Sequence, residues 1–123
     1  MGIPDTYEKL IDTYLECAKT HYHIDYADKI SVKRGNKAVT TMIGIAKLIN
    51  EKYPERIEDF SSLLNTTTNR IDIWAAHHIL EHMNYSNSME KRALAVIKKY
   101  SKENTANGLG NRMWLDEWKK KKK

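Results

Sequence analysis

Two neighbouring stretches decide the fold: Pro54-Glu-Arg-Ile-Glu-Asp-Phe-Ser-Ser-Leu-Leu-Asn65 and Asn69-Arg-Ile-Asp-Ile-Trp-Ala-Ala-His-His-Ile-Leu80. In the first, Ile57, Phe60, Leu63 and Leu64 recur at steps of three and four, the spacing of one helical face. Pro54 suits a first helical turn, where the missing N–H would have no partner anyway. In the second, Ile71, Ile73, Ala75, Ala76, Ile79 and Leu80, with Met83 beyond, cover an arc of roughly 200° at 100° per residue. A helix lying on a surface needs only about half of that arc. This second helix, expected over Asn69 to Met83, is therefore predicted to be flanked on two sides. Small side chains at Ala75 and Ala76 let a neighbour come close. The polar Thr66, Thr67 and Thr68 supply the turn between the two.

The same period extends outward in both directions. Tyr7, Leu10, Ile11, Tyr14, Leu15 and Ala18 form the stripe of a first helix, with Pro4 and Asp5 as starting residues. From His21 to Lys33 no period is clear, and Asp25, Tyr26 and Asp28 read as a linker or a short helix. Asn36 is the expected cap of a second helix carrying Val39, Met42, Ile43, Ala46 and Ile49, which Pro54 ends. After a polar break at Asn84 to Ser88, Met89 to Lys102 reads as a helix with Ala93, Val96, Ile97 and Tyr100 inward. Asn104 to Gly110 reads as a loop, with Gly108 and Gly110 for a tight turn or close packing. Met113, Trp114, Leu115 and Trp118 mark a last helix that closes the apolar end of the array. Asp116 and Glu117 then face solvent. No segment alternates with period two, so the chain is expected to be all-α with six main helices. Its short connections favour antiparallel neighbours.

A proline-headed helix with a Leu-Leu end, then a helix with a β-branched residue, Ala-Ala and a leucine, resembles a HEAT repeat. The resemblance is specific for residues 54–80, where Trp74 and Asp72 depart from the usual pattern, and compatible with the rest. It implies a short right-handed α-α superhelix, HEAT- or armadillo-like, of about three antiparallel helix pairs. Arg70 to Leu80 and Gly108 to Trp118 also resemble a family of small bacterial HEAT-like proteins of unknown function. Some relatives of that type sit beside secreted toxins and are taken as immunity proteins. The implied function is steric neutralisation of a toxin.

Length and composition limit the alternatives. The chain has 123 residues, 41% of them hydrophobic and 30% charged, which fits one domain with its own core. The expected division is a helical domain over 1–118 and a lysine tail over 119–123. Formal net charge is +5, but Lys119 to Lys123 supply all of it. Without them 16 basic residues face 16 acidic ones, so the body is neutral (21 − 5 = 16). That removes the simplest argument for a nucleic-acid binder, because no internal helix shows a cationic stripe interleaved with aromatics. The tail reads as a solvated helix end that complements the helix dipole. No apolar run is long enough to span a membrane, and Met1 to Leu10 hold no signal-peptide stretch. A single cysteine, Cys17, on an apolar face reads as a small core residue in a reducing cytoplasm.

Two features carry candidate chemistry. His78-Ile-Leu-Glu-His82 matches the H-x-x-E-H string of one metalloprotease group, in which two histidines hold zinc and a glutamate takes a proton from bound water. A zinc-dependent hydrolase on His78, Glu81 and His82 is the third-ranked reading, because only 41 residues follow His82 to supply a further ligand. His21 and His23 could add ligands only if the fold brought them near. The bland reading is that these histidines are packed at a core edge, and no cofactor or metal is expected. Trp74 is the other feature. On the helical wheel it falls with Arg70, His77 and Glu81, away from the apolar arc, as a protein–protein anchor would. Its bland reading is packing on the neighbouring repeat. The expected binding set is Arg70, Trp74, His77 and Glu81, with Glu58 and Asp59 as acidic rim residues facing a basic partner. The reading that follows is a non-catalytic protein-binding module. A nucleic-acid or scaffold role for the lysine tail ranks second.

Overall fold

The computed structural model describes residues 6–121. The expected start at Pro4 and Asp5, and the tail residues Lys122 and Lys123, lie outside them. Among the described residues there are six α-helices and no strand: α1 (Tyr7–Tyr22), α2 (Lys29–Lys52), α3 (Ile57–Phe60), α4 (Ile71–His82), α5 (Asn87–Ser101) and α6 (Ala106–Lys121). The all-α expectation is met, and α4 sits at the centre, touching α2, α5, α1 and the Ser61–Asn65 segment that follows α3. All seven residues of its predicted arc, Ile71 to Met83, are buried.

Thr6 starts α1, its hydroxyl accepting from the Lys9 N–H at 3.3 Å. Tyr7, Leu10, Tyr14 and Ala18 are the buried face. α2 begins a full two turns before the expected cap. Asp28, not Asn36, caps it, its carboxylate accepting from the Ile30 N–H at 3.0 Å. Asn36 is an exposed residue inside the helix. The obstacle to reading this from sequence is Gly35, which weakens a helix. Gly35 is buried there because a Cβ would overlap the Ile24 side chain of the linker. Ile45 joins Met42, Ala46 and Ile49 in the core, whereas Val39 and Ile43 are only half-buried.

The stretch Pro54–Asn65 is helical but not one α-helix. Three-residue-turn segments, Pro54–Arg56 and Ser61–Asn65, flank the single turn of α3. Ser61 and Ser62 donate their hydroxyls to the Glu58 and Asp59 carbonyls at 2.6 and 2.7 Å, competing with the α-helical ladder. α4 likewise starts at Ile71 rather than Asn69, because Asn69 and Arg70 are left-handed, with φ of 53° and 57°. Ser86 caps α5 by accepting from Met89 N–H at 3.2 Å. Helix replaces most of the expected glycine loop: α6 begins at Ala106, with the Thr105 hydroxyl accepting from Gly108 N–H at 3.1 Å. On α6, Leu115 is buried, and Trp114 and Trp118 stack at 5.2 Å and pack inward. Met113, expected inward, is exposed, while Asp116 and Glu117 are exposed as expected. The described tail lysines Lys119, Lys120 and Lys121 continue α6. No described helix is long and apolar enough to cross a membrane.

Candidate binding cleft

The end of α1, the linker to α2, the start of α4 and the first half of α6 enclose a cleft of about 610 Å³. α4 projects Trp74 and His77 into it one turn apart. Trp74 is half-buried, not freely exposed. Its ring meets His21 of α1 edge to face at 4.9 Å and lies 5.8 Å from His78. Trp74 thus packs against α1 while lining the cleft, because α4 is flanked on the side the wheel left polar. His77 is fixed by α6: its Nε2 is 2.8 Å from the Asn111 Oδ1, and its ring meets Trp114 at 4.8 Å. The Asn111 amide nitrogen donates to the Asn107 carbonyl at 3.0 Å, which orients the amide and makes His77 Nε2 the donor.

Arg70 forms part of the same wall through its unusual backbone. A left-handed arginine carries a conformational cost of about 1–3 kcal/mol that the surroundings must offset. Its guanidinium makes two bonds to Glu103, at 2.8 and 3.3 Å, and lies 4.5 Å over the Tyr100 ring. Asn69, also left-handed, faces the cleft beside it. His21 is driven below its ordinary pKa by burial, so the wall it forms is neutral near pH 7.

Three of the expected residues, Arg70, Trp74 and His77, therefore converge. Glu81 sits outside the lining and accepts from the Trp114 indole N–H at 3.3 Å. Glu58 and Asp59 belong to α3, away from this cleft. Asp59 holds Arg56 at 2.7 Å, Glu58 lies 3.7 Å from Arg92, and Arg56 also reaches Glu8 at 3.5 Å. Their acidity is largely met by their own neighbours. Sequence reasoning missed Tyr22, Tyr26, Asn107 and Trp114 as cleft residues. The signal available for the first two was aromatic density in a segment without apolar period.

The H-x-x-E-H string is divided among separate contacts. His78 is buried, with Nδ1 2.6 Å from the Tyr14 hydroxyl, and Glu81 turns to α6. Burial, with smaller contributions from His82 and His77, lowers the His78 pKa to about 3. Among the described residues no three His, Cys, Asp or Glu side chains are grouped as a metal site would need. His23 ends α1 against Tyr22 rather than joining these histidines. Cys17 packs half-buried on the core, and burial raises its pKa, away from a reactive thiolate. The cleft offers rings and amides, which suit holding a planar group in place. No family model, no curated protein and no solved structure matches the chain.

Proposed function

We propose that this chain is a non-catalytic binding module whose cleft between α1, α4 and α6 seats a segment of a partner protein. The observation that carries this reading is the convergence of Arg70, Trp74 and His77 with Trp114 around a volume of about 610 Å³. Tryptophan, tyrosine and arginine are enriched among the residues that dominate protein–protein contacts, and the two aromatics bring large area at low rotamer cost. Exposed Tyr22 and Tyr26 on the rim extend the same surface. The frame for this is a HEAT- or armadillo-like array of about three helix pairs. In the immunity reading, the array covers the active site of a toxin encoded beside it, so neutralisation is steric.

The test mixes the chain with the C-terminal domain of the large protein encoded next to it and reads complex formation by size-exclusion chromatography. Complex should form with the native chain. It should be lost with Gly110→Trp, whose bulk is added at a cleft position where a Cβ meets nothing within 4 Å. A complex untouched by Gly110→Trp and by Tyr26→Ala would remove the cleft from the interface.

A further inference from the structure

The cleft differs from the rest of the surface in its charge. Charged residues make up 30% of the chain, yet among the described residues the lining holds no Asp or Glu, no Lys, and Arg70 alone. Glu103 already meets the Arg70 charge at 2.8 Å. Burial keeps His21 below its ordinary pKa, so it is neutral near pH 7. Charge complementarity therefore selects a neutral segment. A charge brought here would give up water and find no available opposite charge.

The hydrogen-bonding groups of the cleft are unevenly committed. His77 Nε2 donates to the Asn111 Oδ1 at 2.8 Å, the Asn111 amide to the Asn107 carbonyl at 3.0 Å, and the Trp114 indole N–H to Glu81 at 3.3 Å. The Trp74 indole N–H, the Tyr26 hydroxyl and the side-chain amides of Asn69 and Asn107 meet no hydrogen-bond partner among the described residues. An indole can only donate, and hydroxyls and amides donate as well as accept. The cleft thus has donors to spare, and the occupant that suits it presents carbonyls.

We infer that the cleft seats a proline-rich segment of the partner protein in the polyproline II conformation, its rings against Trp74, Trp114 and Tyr26 and its carbonyls on the open donors. This rests on the protein-binding reading above and names the chemistry of the segment. Polyproline II has no internal hydrogen bonds, so its carbonyls are open, and each proline brings no N–H that would need an acceptor. An α-helix in the same place has its carbonyls occupied within itself and leaves the donors unmatched. A partner strand needs a sheet edge, and the described residues contain no strand. A phosphorylated or acidic segment needs a cluster of available arginines, whereas Arg70 stands alone and engaged.

The rings complete the match. His21 with Trp74, and His77 with Trp114, stand edge to face at 4.9 and 4.8 Å, so both indoles are held in place by imidazoles of the same lining. Tyr22 and Tyr26, 54% and 77% exposed, carry the aromatic surface out to the rim. Fixed rings meeting a segment that is already stiff lose little freedom on either side, which is how aromatic-lined grooves hold polyproline II.

The experiment titrates the full chain with four capped, uncharged peptides and follows its tryptophan indole signals by NMR. The probes are Pro-Pro-Gln-Pro-Pro-Leu-Pro-Pro, Ala-Ala-Gln-Ala-Ala-Leu-Ala-Ala, Thr-Thr-Gln-Thr-Thr-Leu-Thr-Thr and Ala-Ala-Gln-Trp-Ala-Leu-Ala-Ala. The proline peptide should bind at least about tenfold more tightly than each of the others, with the Trp74 and Trp114 signals moving. Raising salt from about 50 to 500 mM should change that affinity by less than about twofold, because no ion pair forms. Tyr26→Ala should weaken it about fivefold, the worth of one ring contact, and its exposure leaves the fold intact. Tightest binding of any other probe, a steep fall with salt, an unchanged affinity in Tyr26→Ala, or no shift at millimolar peptide would each overturn the inference. Loss of the partner complex in Gly110→Trp is a separate result. If that loss is seen while the proline peptide fails to bind, the protein-binding reading stands and only the nature of the segment is overturned.

Discussion

The Tyr14 hydroxyl lies 2.6 Å from His78 Nδ1 inside the core, joining α1 to α4 across 64 residues of sequence. Both side chains are almost fully buried, and Tyr14 also meets Phe60 edge to face at 5.1 Å. A neutral histidine accepts at one nitrogen and donates at the other. Tyr14→Phe keeps the ring contacts but leaves Nδ1 without its partner. The expected cost is about 1–3 kcal/mol, the penalty for an unsatisfied buried polar group. Urea denaturation should show a lower midpoint with an unchanged slope. An unchanged midpoint would mean that the bond contributes nothing net.

The same histidine should make the fold acid-sensitive. Its pKa is about 3 in the folded chain, against the 6.5 of an ordinary histidine, so the unfolded chain binds the proton first. Stability from this group is fully present above pH 6.5 and falls as pH drops toward about 3. Across that window the slope approaches about 1.4 kcal/mol per pH unit for one proton. Denaturation midpoints measured from about pH 7 to 4 should follow this fall. His78→Gln, less stable at neutral pH, should show a shallower dependence. Parallel pH profiles for the two chains would assign the acid sensitivity to other groups.

Asp72 is a fully buried carboxylate at the α4–α5 contact. It accepts from the Tyr100 hydroxyl at 2.6 Å, Lys99 at 2.9 Å and the Ile73 N–H at 3.0 Å. Burial first, then the bond to Asp72, drives the Tyr100 pKa well above its ordinary value. Removing one member of a buried ionic pair costs about 3–5 kcal/mol. Because the Lys99 side chain is 56% exposed, water screens the pair and Asp72→Ala should fall near the lower end. Lys99→Met should cost less, about 1 kcal/mol, since Tyr100 and the backbone still satisfy the carboxylate. Thermal unfolding of both variants checks the order. If Lys99→Met proved the more damaging, the tyrosine would not be the main partner.

The legible part of this fold was what periodicity carries. The arc of Ile71, Ala75, Ile79 and their neighbours fixed α4 as central, and Tyr7, Leu10, Tyr14 and Ala18 fixed the inner face of α1. The hidden part was set by contacts distant in sequence. Gly35 looks like a helix breaker until Ile24 is seen filling its space. That appearance concealed the start of α2. Trp74 looks exposed on a single wheel because the wheel knows nothing of His21. Of the candidate site, Trp74 and His77 were readable from their shared helix face, whereas Arg70 reaches the same wall from a left-handed position before α4 begins. The α6 wall was not readable, since Asn107 and Trp114 reach the cleft only through tertiary packing. Asp72 did carry a signal, as an acid in an otherwise apolar arc, and the structure satisfies it through α5.

The two glycines of α6 should respond in opposite directions to the same change. At Gly108, which is buried, a Cβ would overlap the Glu103 carbonyl oxygen, a backbone atom with little freedom to move. Gly108→Ala should therefore destabilise by about 1–3 kcal/mol, as overpacking does. At Gly110 a Cβ meets nothing within 4 Å, and the helix gains from losing a flexible residue. Gly110→Ala should stabilise by about 0.5–1 kcal/mol, chiefly by restricting the unfolded chain. Neither residue has positive φ, so backbone strain does not confuse the comparison. The two midpoints should move apart in denaturant. Stabilisation by both would show that the turn at Glu103 yields easily, and that close packing is not why glycine stands at 108.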